Sequence, residues 1–140
     1  MSNLSKYLEV LKQTTQIALA TSTGDIPNVR IVNFIYQPQS PELLYFASDR
    51  TSPKIIEFGK NNNVAFTTVP SENAAYIRSN NAVIQKSKLS IDDVKELFIA
   101  RIAGYDEALA AVGAALDVFE VRIKEATLVS GYGEPDKISF

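Results

Sequence analysis

Near the start of the chain, Leu4, Tyr7, Leu8 and Leu11 recur at helical spacing and predict a short amphipathic helix over residues 3–13, with Asn3 or Ser5 as its cap. The period then changes. Gln16-Ile17-Ala18-Leu19-Ala20-Thr21 is a short apolar run closed by the turn formers Ser22-Thr23-Gly24-Asp25, so a strand and a tight turn are expected. Residues 28–37 are rich in β-branched and aromatic side chains, and Pro38-Gln39-Ser40-Pro41 separates them from another apolar run over 43–48. These three strands are expected in meander order. Ser52-Pro53 marks a short helix, Ser as N-cap and Pro at the first helical position, with Gly59 near its stop.

After the loop Asn61-Asn62-Asn63, a fourth strand is predicted over 64–69 and a fifth, weaker and partly exposed, over 75–85. Ser90 with Asp93 resembles a capping box with Asp in place of Glu, and Ile91, Val94, Leu97, Phe98 and Ile102 form the apolar stripe of the helix that follows. A second helix over 105–116 starts after Gly104. Its Ala-rich run suits close helix packing or, more simply, a helix lying on the sheet. Residues 118–128 alternate, with Phe119, Val121 and Ile123 on one face and Glu120, Arg122 and Lys124 on the other. About six mostly antiparallel strands with peripheral helices indicate an α+β fold around a small closed or split β-barrel, a single domain over residues 1–140 without repeat or linker.

Composition narrows the chemistry. Hydrophobic residues at 46% and charged residues at 21% are ordinary globular values. The net charge of −2 provides no basic field, so nucleic acid is not an expected partner. The sequence has no Cys and no His. Disulfides, thiolate nucleophiles, zinc–cysteine sites, the Ser-His-Asp triad and the usual haem ligand are thereby excluded, and no catalytic residue or metal site stands out. A cofactor that brings its own reactivity fits such a chain. No basic segment followed by an apolar run opens the sequence, and no stretch approaches a membrane span of roughly 20 apolar residues, so a cytoplasmic location is expected.

The most informative stretch is Ser48-Asp49-Arg50-Thr51-Ser52-Pro53-Lys54, which sets a helix start directly after a strand end. Unpaired N–H groups there favour an anion; Arg50 and Lys54 add cations, and Thr51 and Ser52 add hydroxyls. The plainer reading is a capped surface helix with solvated charges. Arg30 stands in the apolar context Val29-Arg30-Ile31-Val32-Asn33-Phe34-Ile35 and, in period two, shares a face with Val32, Phe34 and Tyr36. A charge in that setting needs a partner: a bound anion, or Asp25, Asp49 or Glu57.

Taken together, Ala18-Leu19-Ala20-Thr21, the stretch from Gly24 to Arg30, Leu44-Tyr45-Phe46-Ala47-Ser48 and Ser52-Pro53-Lys54 resemble the FMN-binding split-barrel family typified by pyridoxamine 5′-phosphate oxidases. The resemblance is best over the first half, to Val69. It implies that Arg30 reaches the FMN phosphate and that Ile31, Val32 and Asn33 lie along the isoalloxazine and ribityl chain. It also implies that Phe46, Ala47 and Ser48 meet the flavin and that Ser52 and Lys54 hold the phosphate. It further implies a homodimer with the flavin at the subunit interface, for which Tyr76, Arg78, Tyr105 and Tyr132 are candidate partner contacts. Two departures stand out: Ile35 takes the place of a lysine that those oxidases carry, and the C-terminal segment has no Arg-x-His. The resemblance therefore implies a flavin-dependent oxidoreductase acting on some other small molecule. The alternative is a non-catalytic module that binds flavin or deazaflavin.

Overall fold

The computed structural model describes residues 2–70, 74–131 and 133–140. Helix α1 (Asn3–Gln13) is capped by Ser2, whose hydroxyl accepts from the Ser5 N–H, rather than by Asn3 or Ser5; it buries Tyr7, Val10 and Leu11. Strands β1 (Gln16–Thr23) and β2 (Ile26–Asn33) form a hairpin around Gly24 and Asp25. Both turn residues have positive φ, 56° and 65°, the geometry whose twist matches that of paired strands. Then come β3 (Ile35–Tyr36), β4 (Leu43–Asp49), α2 (Pro53–Lys60), β5 (Asn63–Thr68) and β6 (Tyr76–Lys86). Helices α3 (Ile91–Arg101) and α4 (Tyr105–Val112), a 3-10 turn over Gly113–Ala115, β7 (Leu116–Val129) and β8 (Asp136–Ser139) complete the order.

All strand pairings are antiparallel, in the order β2-β1-β5-β6-β7-β4-β3, with β8 on β7. The sheet curls into a half-barrel, the α+β split-barrel architecture expected, with eight strands among the described residues rather than six. The meander holds only in part: the 28–37 stretch divides into β2, which pairs with β1, and β3, which pairs with β4. Phe34, fully buried, separates β2 from β3, and the chain passes there from one end of the sheet order to the other. Because the sheet curls, β2 still comes back against β4.

The fifth strand is not weak. β6 pairs on both sides, with β5 and β7, and the polar run Ser79-Asn80-Asn81 that made it look exposed lies where its register shifts. β8, too short and polar to be read from the sequence, pairs antiparallel with the end of β7. The Ser90–Asp93 capping box is present. The second helix stops at Val112, four residues before its expected end, and buries none of its residues. Its start is anchored to α3 by Tyr105, stacked on Phe98 at 4.7 Å.

Two apolar clusters hold the layers. Inside the curl, Tyr7 and Leu11 of α1 and Phe58 of α2 meet Leu19, Phe46, Ile84 and Val121 of the sheet. On the other side, Val94 and Phe98 of α3 cover Ile35, Tyr45 and Val118. Arg101 joins the end of α3 to the end of α1: it donates to the carbonyls of Leu11 and Thr14 and lies over the rings of Phe34 and Tyr36, 4.8 and 4.9 Å from their centroids.

Candidate functional site

The two-residue turn sets the register of the first hairpin, pairing Thr21 with Asn28 and Leu19 with Arg30. Thr21 and Arg30 therefore both face the interior of the curl, where α2 crosses β1. Arg30 Nη1 donates to Thr21 Oγ1 at 2.9 Å and to the Leu19 carbonyl at 3.4 Å. Its Nη2 donates to Glu57 Oε2 at 2.8 Å. Of the three carboxylates open in the sequence, Glu57 is thus the partner of Arg30. Glu57 Oε1 also accepts from Asn28 Nδ2 at 3.1 Å and from Thr21 Oγ1 at 3.3 Å. The side chains of the pair are 17% and 21% exposed, so this ion pair is largely shielded from water.

One turn before Glu57 on the same helix stands Lys54. Burial lowers its pKa below the usual ammonium value, and the nearby positive charge of Arg30 lowers it further, against a smaller opposing effect of Asp49. Among the described residues Lys54 has no ion-pair partner. Ser52 caps α2 without a side-chain hydrogen bond of its own. Arg30, Lys54 and Glu57 sum to one net positive charge at the start of α2, with Asp49 close enough to act on Lys54; Pro53 has no N–H there, and the Ile55 N–H is taken by the Ser52 carbonyl at 3.1 Å.

Other predicted site residues lie elsewhere. Arg50 turns toward β7, with Nη2 at 3.4 Å from Asp117 and 3.5 Å from the Leu116 carbonyl. Thr51 donates its N–H and hydroxyl to Asp49 Oδ1, at 2.8 and 2.6 Å, and these bonds hold the Asp49 carboxyl below its ordinary range. Phe46 is fully buried, stacked on Phe119 at 5.7 Å, so its ring serves the core. Ala47 packs under α3, on the opposite side of β4. Ser48 is buried and donates weakly to the Asp49 carbonyl. Ile31 points outward, Val32 packs on the main core and Asn33 is half-buried opposite Gln16.

The outer face of β1, β5 and β6 forms an open groove of about 660 Å³ over Ala18, Ala20, Ala65 and Thr67, with Val29 and Arg78 at its sides. Val29 and Ile31 are 63% and 54% exposed on the edge strand β2. Tyr76 is half-buried opposite Val129, Tyr105 belongs to the α3–α4 contact, and Tyr132 lies outside the described residues. Thr21 and Asn28 were missed in the sequence; the Gly24-Asp25 turn, which dictates the hairpin register, was the signal that brings both to Arg30 and Glu57.

The chain belongs to the pyridoxamine 5′-phosphate oxidase-like family, whose pattern it matches over residues 10–135. None of the curated proteins matches it by sequence. Solved structures share its fold. A heme binding protein from Mycobacterium smegmatis superposes on 99% of this chain with a TM-score of 0.72 at 16% identity, and the chain spans 58% of that protein's length. A putative pyridoxamine 5′-phosphate oxidase from Listeria innocua matches over 93% of this chain and 100% of its own, with a TM-score of 0.69 at 17% identity. A FAD-binding protein from Mesorhizobium loti matches over 90% of this chain and 92% of its own, at 0.64 and 16%. Among the described residues no helix is long and apolar enough to cross a membrane.

Proposed function

We propose that the chain binds FMN with its phosphate at Lys54 and Arg30, and that it is an oxidoreductase of a small-molecule substrate. The observation that carries this reading is Lys54: a half-buried ammonium beside a second cation, without a carboxylate of its own among the described residues. An anion at that point relieves both the desolvation and the repulsion. The donor set fits a phosphate, since the Lys54 ammonium and the Ser52 hydroxyl, which makes no cap bond to α2, stand together at the positive end of the helix. Family membership supports the flavin, and one of the structural neighbours is called FAD-binding. Another is called heme binding, but this chain has neither His nor Cys, the usual haem ligands, which favours flavin.

When bound, the flavin supplies the electron transfer, and the chain supplies position and charge. Without imidazole or thiol, protons reach a substrate from Tyr, Lys, Asp, Glu or water. The reading includes a homodimer: the exposed Val29 and Ile31 on an edge strand, beside an outer groove that mixes alanines with charged residues such as Arg78 and Glu125, form a face that a second copy would cover.

The test is a titration with FMN and with riboflavin, which lacks the phosphate, followed by flavin fluorescence. FMN is expected to bind at least about tenfold more tightly, because a charge-assisted contact contributes about 1.5–3 kcal/mol. Equal affinities overturn the phosphate placement. Bleaching of bound flavin by NADH or NADPH, followed by reoxidation, separates an enzyme from a non-catalytic binding module.

A further inference from the structure

Arg30 does not stand as a free cation. Glu57 holds it, and three side chains hold Glu57: Arg30, Asn28 and Thr21, the last of which also accepts from Arg30. This closed ring of Thr21, Arg30 and Glu57 spans two strands and one helix, in surroundings where both charged side chains are mostly shielded from water. A carboxylate with three donors is costly to swing away, so it stays on Arg30 when an anion arrives. Lys54, one turn away on the same helix face, makes no ion pair among the described residues and feels only a smaller opposing pull from Asp49.

We propose that Glu57 is a built-in counter-ion that sets how much negative charge this site accepts: it fixes the Arg30 guanidinium in place while cancelling its charge, so that Lys54 dominates the attraction for the phosphate. The inference rests on the flavin-phosphate reading above. Glu57 is a positioning residue in this scheme and touches no ligand. Its carboxylate is bonded at 2.8 Å to Arg30, one of the two cations assigned to the phosphate, and two like charges around one guanidinium in a partly desolvated site oppose each other appreciably. The site therefore binds a phosphate less tightly than its two cations allow, and its preference for a charged ligand over a neutral one is smaller than it would be without Glu57.

Two variants test this, each titrated with FMN and with riboflavin. Glu57→Gln keeps the shape and an oxygen acceptor for Arg30 but removes the charge. FMN binding is expected to tighten on the order of tenfold, with riboflavin unchanged within about twofold. Glu57→Asp keeps the charge with a shorter reach, and its FMN-to-riboflavin ratio is expected to stay within about threefold of the native one. An unchanged or lower ratio in Glu57→Gln overturns the proposal. So does a ratio in Glu57→Asp that rises as in Glu57→Gln, because geometry rather than charge would then be at work. If Glu57→Gln does not fold, the Glu57→Asp ratio still decides: a rise overturns the charge role, and the native ratio supports it. Native protein that binds FMN no more tightly than riboflavin defeats the underlying reading instead, which is a different result from a native preference that Glu57→Gln leaves untouched.

Discussion

Replacing Phe46 separates a core role from a cofactor contact. The ring is fully buried, stacked on Phe119 with centroids 5.7 Å apart at 25°, and meets Phe58 edge-on at 6.1 Å and 80°. Phe58 and Phe119 also touch, at 5.6 Å, so the three rings close a triangle between β4, β7 and α2. Phe46→Ala leaves a cavity where α2 is attached and costs about 3–5 kcal/mol. Phe46→Leu keeps most of the volume and loses two ring contacts, worth about 0.5–1.5 kcal/mol each. Urea unfolding is the assay. With a slope of roughly 2 kcal/mol per molar, the midpoint falls by on the order of 2 M for Ala and about 1 M for Leu, with the slope unchanged. FMN affinity of folded Phe46→Leu stays within about threefold of native. A native midpoint in Phe46→Leu together with lost flavin binding would refute the core assignment and return the ring to the cofactor.

Lys54→Ala is expected to weaken FMN about 10- to 100-fold and riboflavin little, with thermal stability unchanged, because Lys54 has no ion pair among the described residues to lose. Arg30→Ala differs: it strips Glu57 of its cation in a largely shielded place, so calorimetry should show a loss of about 1–2 kcal/mol as well. Arg101→Met removes the donors to the Leu11 and Thr14 carbonyls and the cation over Phe34 and Tyr36, and is expected to cost about 2–4 kcal/mol in the same measurement. Tyr7 donates to the Pro41 carbonyl at 2.7 Å, and burial, aided by the Glu42 charge, raises its pKa above the ordinary 10.0. The raised pKa means that the folded protein holds this proton after the unfolded chain has lost it. The stabilisation is complete below about pH 10 and declines as pH rises further. Tyr7→Phe should flatten that alkaline decline in a pH series of unfolding midpoints.

Much was legible from local signals. The Ser90–Asp93 box, the Pro53 start of α2 and the alternation along β7 each depend on neighbours a few residues apart, and each stands in the structure as expected. Gly24-Asp25 also holds the register, since a two-residue turn with positive φ at both positions dictates which residues of β1 and β2 face each other. The conflict of a charge in the apolar setting of Arg30 was also visible, as was Glu57 among its three candidate partners.

Strand order was not legible, because an apolar strand pairs equally well with any neighbour of matching pattern; only closure of the curled sheet sets β4, with β3 on its far side, beside β7 rather than β2. The destinations of Phe46 and Arg50 were equally hidden. Both lie in a segment whose sequence suits a phosphate site, yet Phe119 and Asp117 on β7, about seventy positions away, capture the one in the core and the other in an ion pair. Local pattern carried the elements, the hairpin turn and the residue types at the start of α2. Which cation is neutralised follows from the packing, because it depends on how α2 crosses β1 and brings Glu57 within 2.8 Å of Arg30 while Lys54 makes no ion pair among the described residues.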